Sequence, residues 1–277
     1  MSAKHEHVGR RVEQEIKIDA TPLEVWKAWA EADGIAKWFV DRCEGDARAG
    51  EVVTWHFDQF GFHQPTPCLE SVPGESVVYG AEIPGRLPIV LEVRFEEDGG
   101  GTRLRLVNSG FVDGSDWDLE YEGTDSGWGM ALATLKQYLE RYPGAPRSHV
   151  LAMQPASYTW DELRARHDTP AGLTSWLAET VELESGKERL EEGDAVRMQL
   201  KDGGRLTGHV LARTRIELLL SWEEQNGVLG LKGYDKPSEG TFVALDFNAW
   251  PLPAGVDPTE LKGSLQGALE RLASSLS

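Results

Sequence analysis

Cys43, His56, His63 and Cys68 are residue types that hold zinc, and they lie close together in the chain. Their spacing, C-x12-H-x6-H-x4-C, matches no compact zinc knuckle and contains no Cys-x-x-Cys pair, so no metal is expected. Free cysteines more often behave as small buried hydrophobes. A second cluster is acidic: Asp113, Asp116, Asp118, Glu120, Glu122 and Asp125, interleaved with Trp117, Leu119 and Tyr121. It reads as a partner-docking or lid strand, as a calcium site, or as a solvated loop whose last acids complement the helix behind it. The glycine and register of an EF-hand are missing, and the loop is the expectation. No Gly-x-Ser-x-Gly elbow, Walker loop or His-Glu-x-x-His is present. Gly99-Gly100-Gly101 precedes a strand rather than a helix, so it is a hairpin tip and not a phosphate cradle. No catalytic residue is assigned and no cofactor is expected.

The remaining chemistry is aromatic. Trp38, Phe39, Trp55, Phe57, Tyr79 and Trp128, with Leu132, have the character of an apolar ligand pocket. The plainer reading is that these side chains simply fill a core. His56 and His63 are the polar groups nearest Tyr79, but His56 has the opposite strand parity to Trp55 and Phe57 and should face solvent.

These side chains need elements to hold them. Val12 to Ile18 alternates as a half-buried strand. Thr21-Pro22-Leu23-Glu24 reads as a helix start, with Thr21 as N-cap, Pro22 at the first position and Glu24 closing a capping box. Asp33-Gly34 should break that helix, with Ile35 to Phe39 as a second one. Val53, Trp55 and Phe57 share one face of a strand. Residues 89–95 and 102–106 form a hairpin, with Glu92, Arg94 and Glu96 set for cross-strand pairing with Arg103 and Arg105. Trp128, Leu132, Leu135, Leu139 and Tyr142 are spaced 4, 3, 4 and 3, the stripe of a helix expected from about Ser126 to Tyr142.

The chain has 277 residues, two cysteines and a net charge of −18, with both halves acidic. Phosphate backbones and anionic membrane surfaces are therefore poor partners. No stretch is long and apolar enough for a transmembrane helix, the polar start does not read as a signal peptide, and a reducing cytoplasm is the expected compartment. Pro143-Gly144-Ala145-Pro146 stops the helical pattern and divides the chain into 1–145 and 146–277. Signals recur across that boundary at nearly constant offsets. Trp26 answers Trp160 (134), Gly101 to Leu106 answers Gly240 to Leu245 (139), and Trp128 answers Leu261 (133). Trp38-Phe39 likewise answers Trp176-Leu177, Asn108 and Phe111 answer Asn248 and Trp250, and Leu265, Leu269, Leu272 and Leu276 repeat the final stripe. This pattern predicts a tandem duplication with a diverged second copy. Strand, two short helices, antiparallel strands and a long helix make an α+β fold.

Thr21-Pro22-Leu23-Glu24-Val25-Trp26, Ala36-Lys37-Trp38-Phe39 and Ser126-Gly127-Trp128-Gly129-Met130-Ala131-Leu132 resemble the START-like (SRPBCC, birch-pollen-allergen-like) superfamily. Within it the chain is most similar to the branch related to the C-terminal domain of activators of the Hsp90 ATPase. The resemblance spans residues 8–143 and reaches 148–276 only through the repeat. It implies two helix-grip domains, each a curved antiparallel sheet around a long C-terminal helix, with a cavity between them that holds apolar molecules in many relatives. It transfers no universal catalytic residue.

Three function classes follow: a binding protein with a small apolar or aromatic ligand in the N-terminal cavity, a protein-interaction or chaperone-accessory module, and a cyclase- or dehydratase-type enzyme. The absence of a convergent acid–base set places them in that order. No nucleic-acid or membrane partner is expected.

Overall fold

The computed structural model describes residues 7–82, 87–112, 114–184, 186–236 and 240–276. The chain divides into two compact units, Met1–Ala145 and Pro146–Ser277. The first runs β1 (Arg10–Ile18), α1 (Pro22–Ala30), α2 (Ala32–Ala36), β2 (Arg42–Glu44), β3 (Val52–Phe57), β4 (Phe62–Val72), β5 (Ser76–Ala81), β6 (Ile89–Asp98), β7 (Gly101–Phe111) and α3 (Ser115–Arg141). The second repeats that order with β8 (Ser148–Pro155), α4 (Trp160–His167), α5 (Pro170–Trp176), β9 (Ala178–Leu183), β10 (Ala195–Leu200), β11 (Arg205–Arg213), β12 (Glu217–Trp222), β13 (Gly227–Lys236), β14 (Gly240–Ala249) and α6 (Pro258–Leu276). Each unit builds one antiparallel seven-stranded sheet, ordered β1-β7-β6-β5-β4-β3-β2 and β8-β14-β13-β12-β11-β10-β9. The two orders are the same path through space. Both units are α+β helix grips, with the long last helix against the inner face of the sheet.

Amphipathicity explains the grip. Leu132 and Leu135 of α3 are buried, as are Leu265, Leu269 and Leu272 of α6, each set forming one apolar stripe. In the second unit that stripe joins Val150, Val243, Leu245 and Phe247 in a single core. The β6–β7 hairpin turns on Gly99 and Gly100, both at positive φ (62° and 90°), the geometry of a tight two-residue turn. Pairing across it follows the sequence expectation in part: Glu96 lies opposite Arg103, but Arg94 lies opposite Arg105, which bonds Glu13 on β1.

Two helix boundaries also differ. Gly34 lies inside α2 and does not break α1, which ends at Ala30 with Glu31 extended between them. The glycine serves a close approach: a Cβ at Gly34 would sit 2.2 Å from the Lys27 carbonyl oxygen, and one at Gly172 would sit 2.2 Å from that of Ala165. Gly34→Ala and Gly172→Ala should each cost about 1–3 kcal/mol in urea denaturation, since backbone must move. Gly127→Ala and Gly129→Ala, in open helical positions, should be neutral or stabilising by about 0.5–1 kcal/mol. The second difference is α3, which begins at Ser115 rather than near Ser126 and ends at Arg141, so Tyr142 is its cap. The acidic segment is therefore mostly helix and not a loop. Tyr121 donates to the Arg11 carbonyl, Arg10 lies over the Tyr121 ring at 4.0 Å, and Gln14 donates to Asp125. Asp113 and the side chains of Asp116, Trp117 and Leu119 lie outside the described residues.

The duplication holds at the level of single hydrogen bonds. Thr21 and Glu24 form the expected capping box on α1, and Thr159 and Glu162 form the same box on α4. Trp38 Nε1 donates to the Ala28 carbonyl at 2.8 Å, as Trp176 Nε1 does to that of Arg166 at 3.0 Å. Those pairs share an offset of 138, which makes Pro22 and not Trp26 the counterpart of Trp160. Strand register likewise replaces Asn248 by Phe247 as the counterpart of Asn108: Val12 faces Asn108 as Val150 faces Phe247.

Candidate functional site

The first unit gathers the aromatic residues singled out in the sequence. Trp38 and Phe39 follow α2, Trp55 and Phe57 come from β3, Tyr79 from β5 and Trp128 from α3. Phe39 is the hub. It stacks on Trp128 with centroids 5.5 Å apart and meets Trp55 and Phe57 edge-on at 5.3 and 5.8 Å. Trp38 contacts Phe39 at 5.1 Å and Trp55 contacts Tyr79 at 5.2 Å, all within the usual range for favourable ring pairs. Leu132 is buried one turn along α3 from Trp128.

The rings do not stop at the surface. Phe57 stacks on Phe62 at 4.8 Å, and Phe62, on the neighbouring strand β4, is 51% exposed. Phe60, in the turn between those strands, is 6.5 Å further on. A series of rings thus runs from solvent to the inner face of α3.

Trp29 was missed in the sequence, although Val25, Ala28 and Trp29 have the 3, 4 spacing of a buried helix face. It lies 5.0 Å from Trp38 and 5.7 Å from Trp128, and its carbonyl accepts the Tyr79 hydroxyl at 2.5 Å. Asn108 was noted only as a repeat signal. Its parity with Leu104 and Leu106 on β7 turns it inward, and it is 9% exposed. Three polar atoms on this side are buried with no hydrogen-bond partner: Trp29 Nε1, Trp55 Nε1 and Asn108 Oδ1.

The thiols and imidazoles separate. Cys43 is in register with Trp55, and Cys68 with Tyr79, which places both on the ring face. His56 and His63 pair on the opposite face, stacked at 5.6 Å, with His56 against Arg42 rather than open to solvent. These four side chains do not converge, and among the described residues no His, Cys, Asp and Glu group could hold a metal. Burial pushes both thiols up to about 11, and burial also raises the Tyr79 phenol, so all three stay protonated near neutrality.

Two other polar features lie elsewhere. An open groove of about 490 Å³ between α1, α2 and the end of α3 is lined by Lys27, Glu31, Lys37, Tyr138 and Glu140. On the sheet face turned away from α6, Asp246 accepts from Lys232 at 2.8 Å and is 3.1 Å from His149. Burial alone would raise the Asp246 carboxyl, but those cations hold it well below the usual range.

Residues 19–140 match the family described as activator of Hsp90 ATPase homolog 1-like protein, a match confined to the first unit and to less than half of the chain. No curated protein matches. Among solved structures, protein MLL2253 from Mesorhizobium loti is 24% identical, covering 48% of this chain and 98% of its own, with a TM-score of 0.43. The Aha1 dimer from Colwellia psychrerythraea is 20% identical over 47% of this chain and 96% of its own, TM-score 0.42. The di-domain ARO/CYC BexL from the BE-7585A biosynthetic pathway is 15% identical over 97% and 99%, TM-score 0.45.

Proposed function

We propose, with residues 19–140 forming an activator of Hsp90 ATPase homolog 1-like domain, that the first unit is a binding module for a small apolar or aromatic molecule. The observation that carries this reading is the ring series from exposed Phe62 through Phe57 and Phe39 to buried Trp128. Planar ligands exchange ring contacts with such a path at little geometric cost. The module is non-catalytic. The polar groups set among the rings include an amide, indoles, a phenol and two thiols, and burial keeps the phenol and thiols protonated. None of them takes up or releases a proton near neutral pH.

A panel of fatty acids, sterols, flavonoids and polyketide-like aromatics, read by tryptophan fluorescence and thermal shift, tests the reading. A binder should quench or shift the fluorescence and raise the melting temperature. At a hundredfold excess over Kd the stabilisation is about 2.7 kcal/mol. Silence across the panel overturns the proposal and favours the second reading, a protein-docking module. That reading draws on Val52, Phe62 and Leu69, which are 41–51% exposed on β3 and β4.

A further inference from the structure

We propose that the ligand of the first unit carries a hydrogen-bond acceptor oxygen on its ring system, a ketone or quinone-type carbonyl, read by the indole N–H groups of Trp55 and Trp29. This inference rests on the binding function proposed above and narrows it to a chemical class.

Both indoles are nearly fully buried, at 5% and 2% exposure, and neither Nε1 has a partner. A buried donor left unpaired is unfavourable, and folded proteins leave few of them. Trp38, in the same cluster, shows the ordinary solution, a bond from its indole N–H to the Ala28 carbonyl. Trp29 and Trp55 are not placed to copy it. Their neighbours are ring faces and edges: Trp38 and Trp128 for Trp29, Phe39 and Tyr79 for Trp55. The Tyr79 hydroxyl is committed to the Trp29 carbonyl. An ordered water needs two to four polar partners, and a lone N–H among rings supplies one. A ligand oxygen needs only that one, because the rest of the molecule is held by the rings.

The second unit serves as an internal comparison. At the counterpart of Asn108 it has Phe247, which packs edge-on against Trp222 at 5.5 Å, and the Trp222 N–H is bonded to the Arg205 carbonyl at 2.8 Å. The sequence repeat sets Leu261 against Trp128. At the Asn108 position the second copy has apolar packing, whereas the first keeps a buried amide oxygen without a partner beside its rings. Asn108 Oδ1, an acceptor, would suit a hydroxyl on the same ligand, but the indoles carry the inference.

The test uses a matched pair on the full chain: 9-fluorenone and fluorene, equal in ring framework and differing in one carbonyl. Fluorenone should bind about tenfold more tightly, the effect of one neutral hydrogen bond formed in a dry site. In ¹H–¹⁵N spectra the Trp55 or Trp29 indole signal should move downfield with fluorenone and not with fluorene. Trp55→Phe and Trp29→Phe keep a ring and remove the donor, so at least one should bring the two affinities together while fluorene binding persists. If a variant does not fold, the unmodified protein still gives both the affinity ratio and the indole shifts. Equal affinities, with no indole shift, overturn the acceptor inference and leave the binding function standing. If neither compound binds, and the wider panel is also silent, the binding function itself falls.

Discussion

Trp38→Ala and Trp176→Ala should each destabilise their unit by about 3–5 kcal/mol, the largest single-residue effects expected in the molecule. Each indole is almost completely buried, Trp38 just beyond the second short helix of its unit and Trp176 at the end of it, and each bonds the carbonyl ten residues before it. Removing the side chain opens a cavity and leaves that carbonyl without its donor. Trp176 is also where α6 is tied down, because Arg271 donates to its backbone oxygen at 2.8 Å. Phenylalanine at either position fills most of the volume and loses only the bond, so Trp38→Phe and Trp176→Phe should cost about 1–3 kcal/mol. Urea denaturation of the full chain measures all four. A loss below about 1 kcal/mol in either alanine variant would mean that the ring and its bond are not what joins the two short helices.

Acidification should act on the second unit through His167. This imidazole is fully buried in α4, and neither ring nitrogen has a partner. Burial lowers its pKa to about 4, with Asp168 and the nearby Leu163 backbone opposing that shift and Arg213 and Arg164 adding to it. In the unfolded chain the value returns to about 6.5. Between those values the unfolded state binds the extra proton, so stability is complete above about pH 6.5 and falls as pH drops toward 4. The slope approaches 1.4 kcal/mol per pH unit and the total is about 3 kcal/mol. Carboxylates with lowered pKa, such as Glu24 and Glu162, lose their contribution only below their ordinary value of 4.5. The upper part of the window therefore belongs to the histidine. His167→Phe should flatten the stability profile between pH 6.5 and 5. An unchanged slope in that variant would assign the acid sensitivity elsewhere.

Much of this architecture was legible because it is written in local chemistry. The Thr21–Glu24 box, the Gly99-Gly100 turn and the α3 leucine stripe each announce an element by residue type and spacing. The errors arise where tertiary structure decides. Gly34 looks like a helix breaker, yet it is small because a neighbouring carbonyl lies where its Cβ would go. The first turns of α3 have no side-chain cap, and their aromatic residues alternate with acids as in a strand. Contacts from β1 to Tyr121 and Asp125 hold them as helix, and those contacts have no sequence signature. The ring cluster could be read from fold resemblance and parity together. Its unpaired donors could not, since whether an indole finds a carbonyl depends on the placement of side chains remote in sequence.

The shared strand order has a consequence for folding fidelity. In both units the first strand is an edge strand paired with the last, β1 on β7 and β8 on β14, in equivalent register. Adjacent repeats of one topology can exchange such elements while the chain is still incomplete, which is a characteristic failure of tandem proteins. Sequence divergence makes the exchange unfavourable here. β8 paired with β7 would keep a valine, Val150, against Asn108, but would bring Leu151, buried in its own unit, to the exposed position that β1 fills with Glu13. Likewise α6 laid in the first grip would present Leu261 where Phe39 stacks on Trp128. The drift between the copies thus sets mismatched side chains at the positions such an exchange would use.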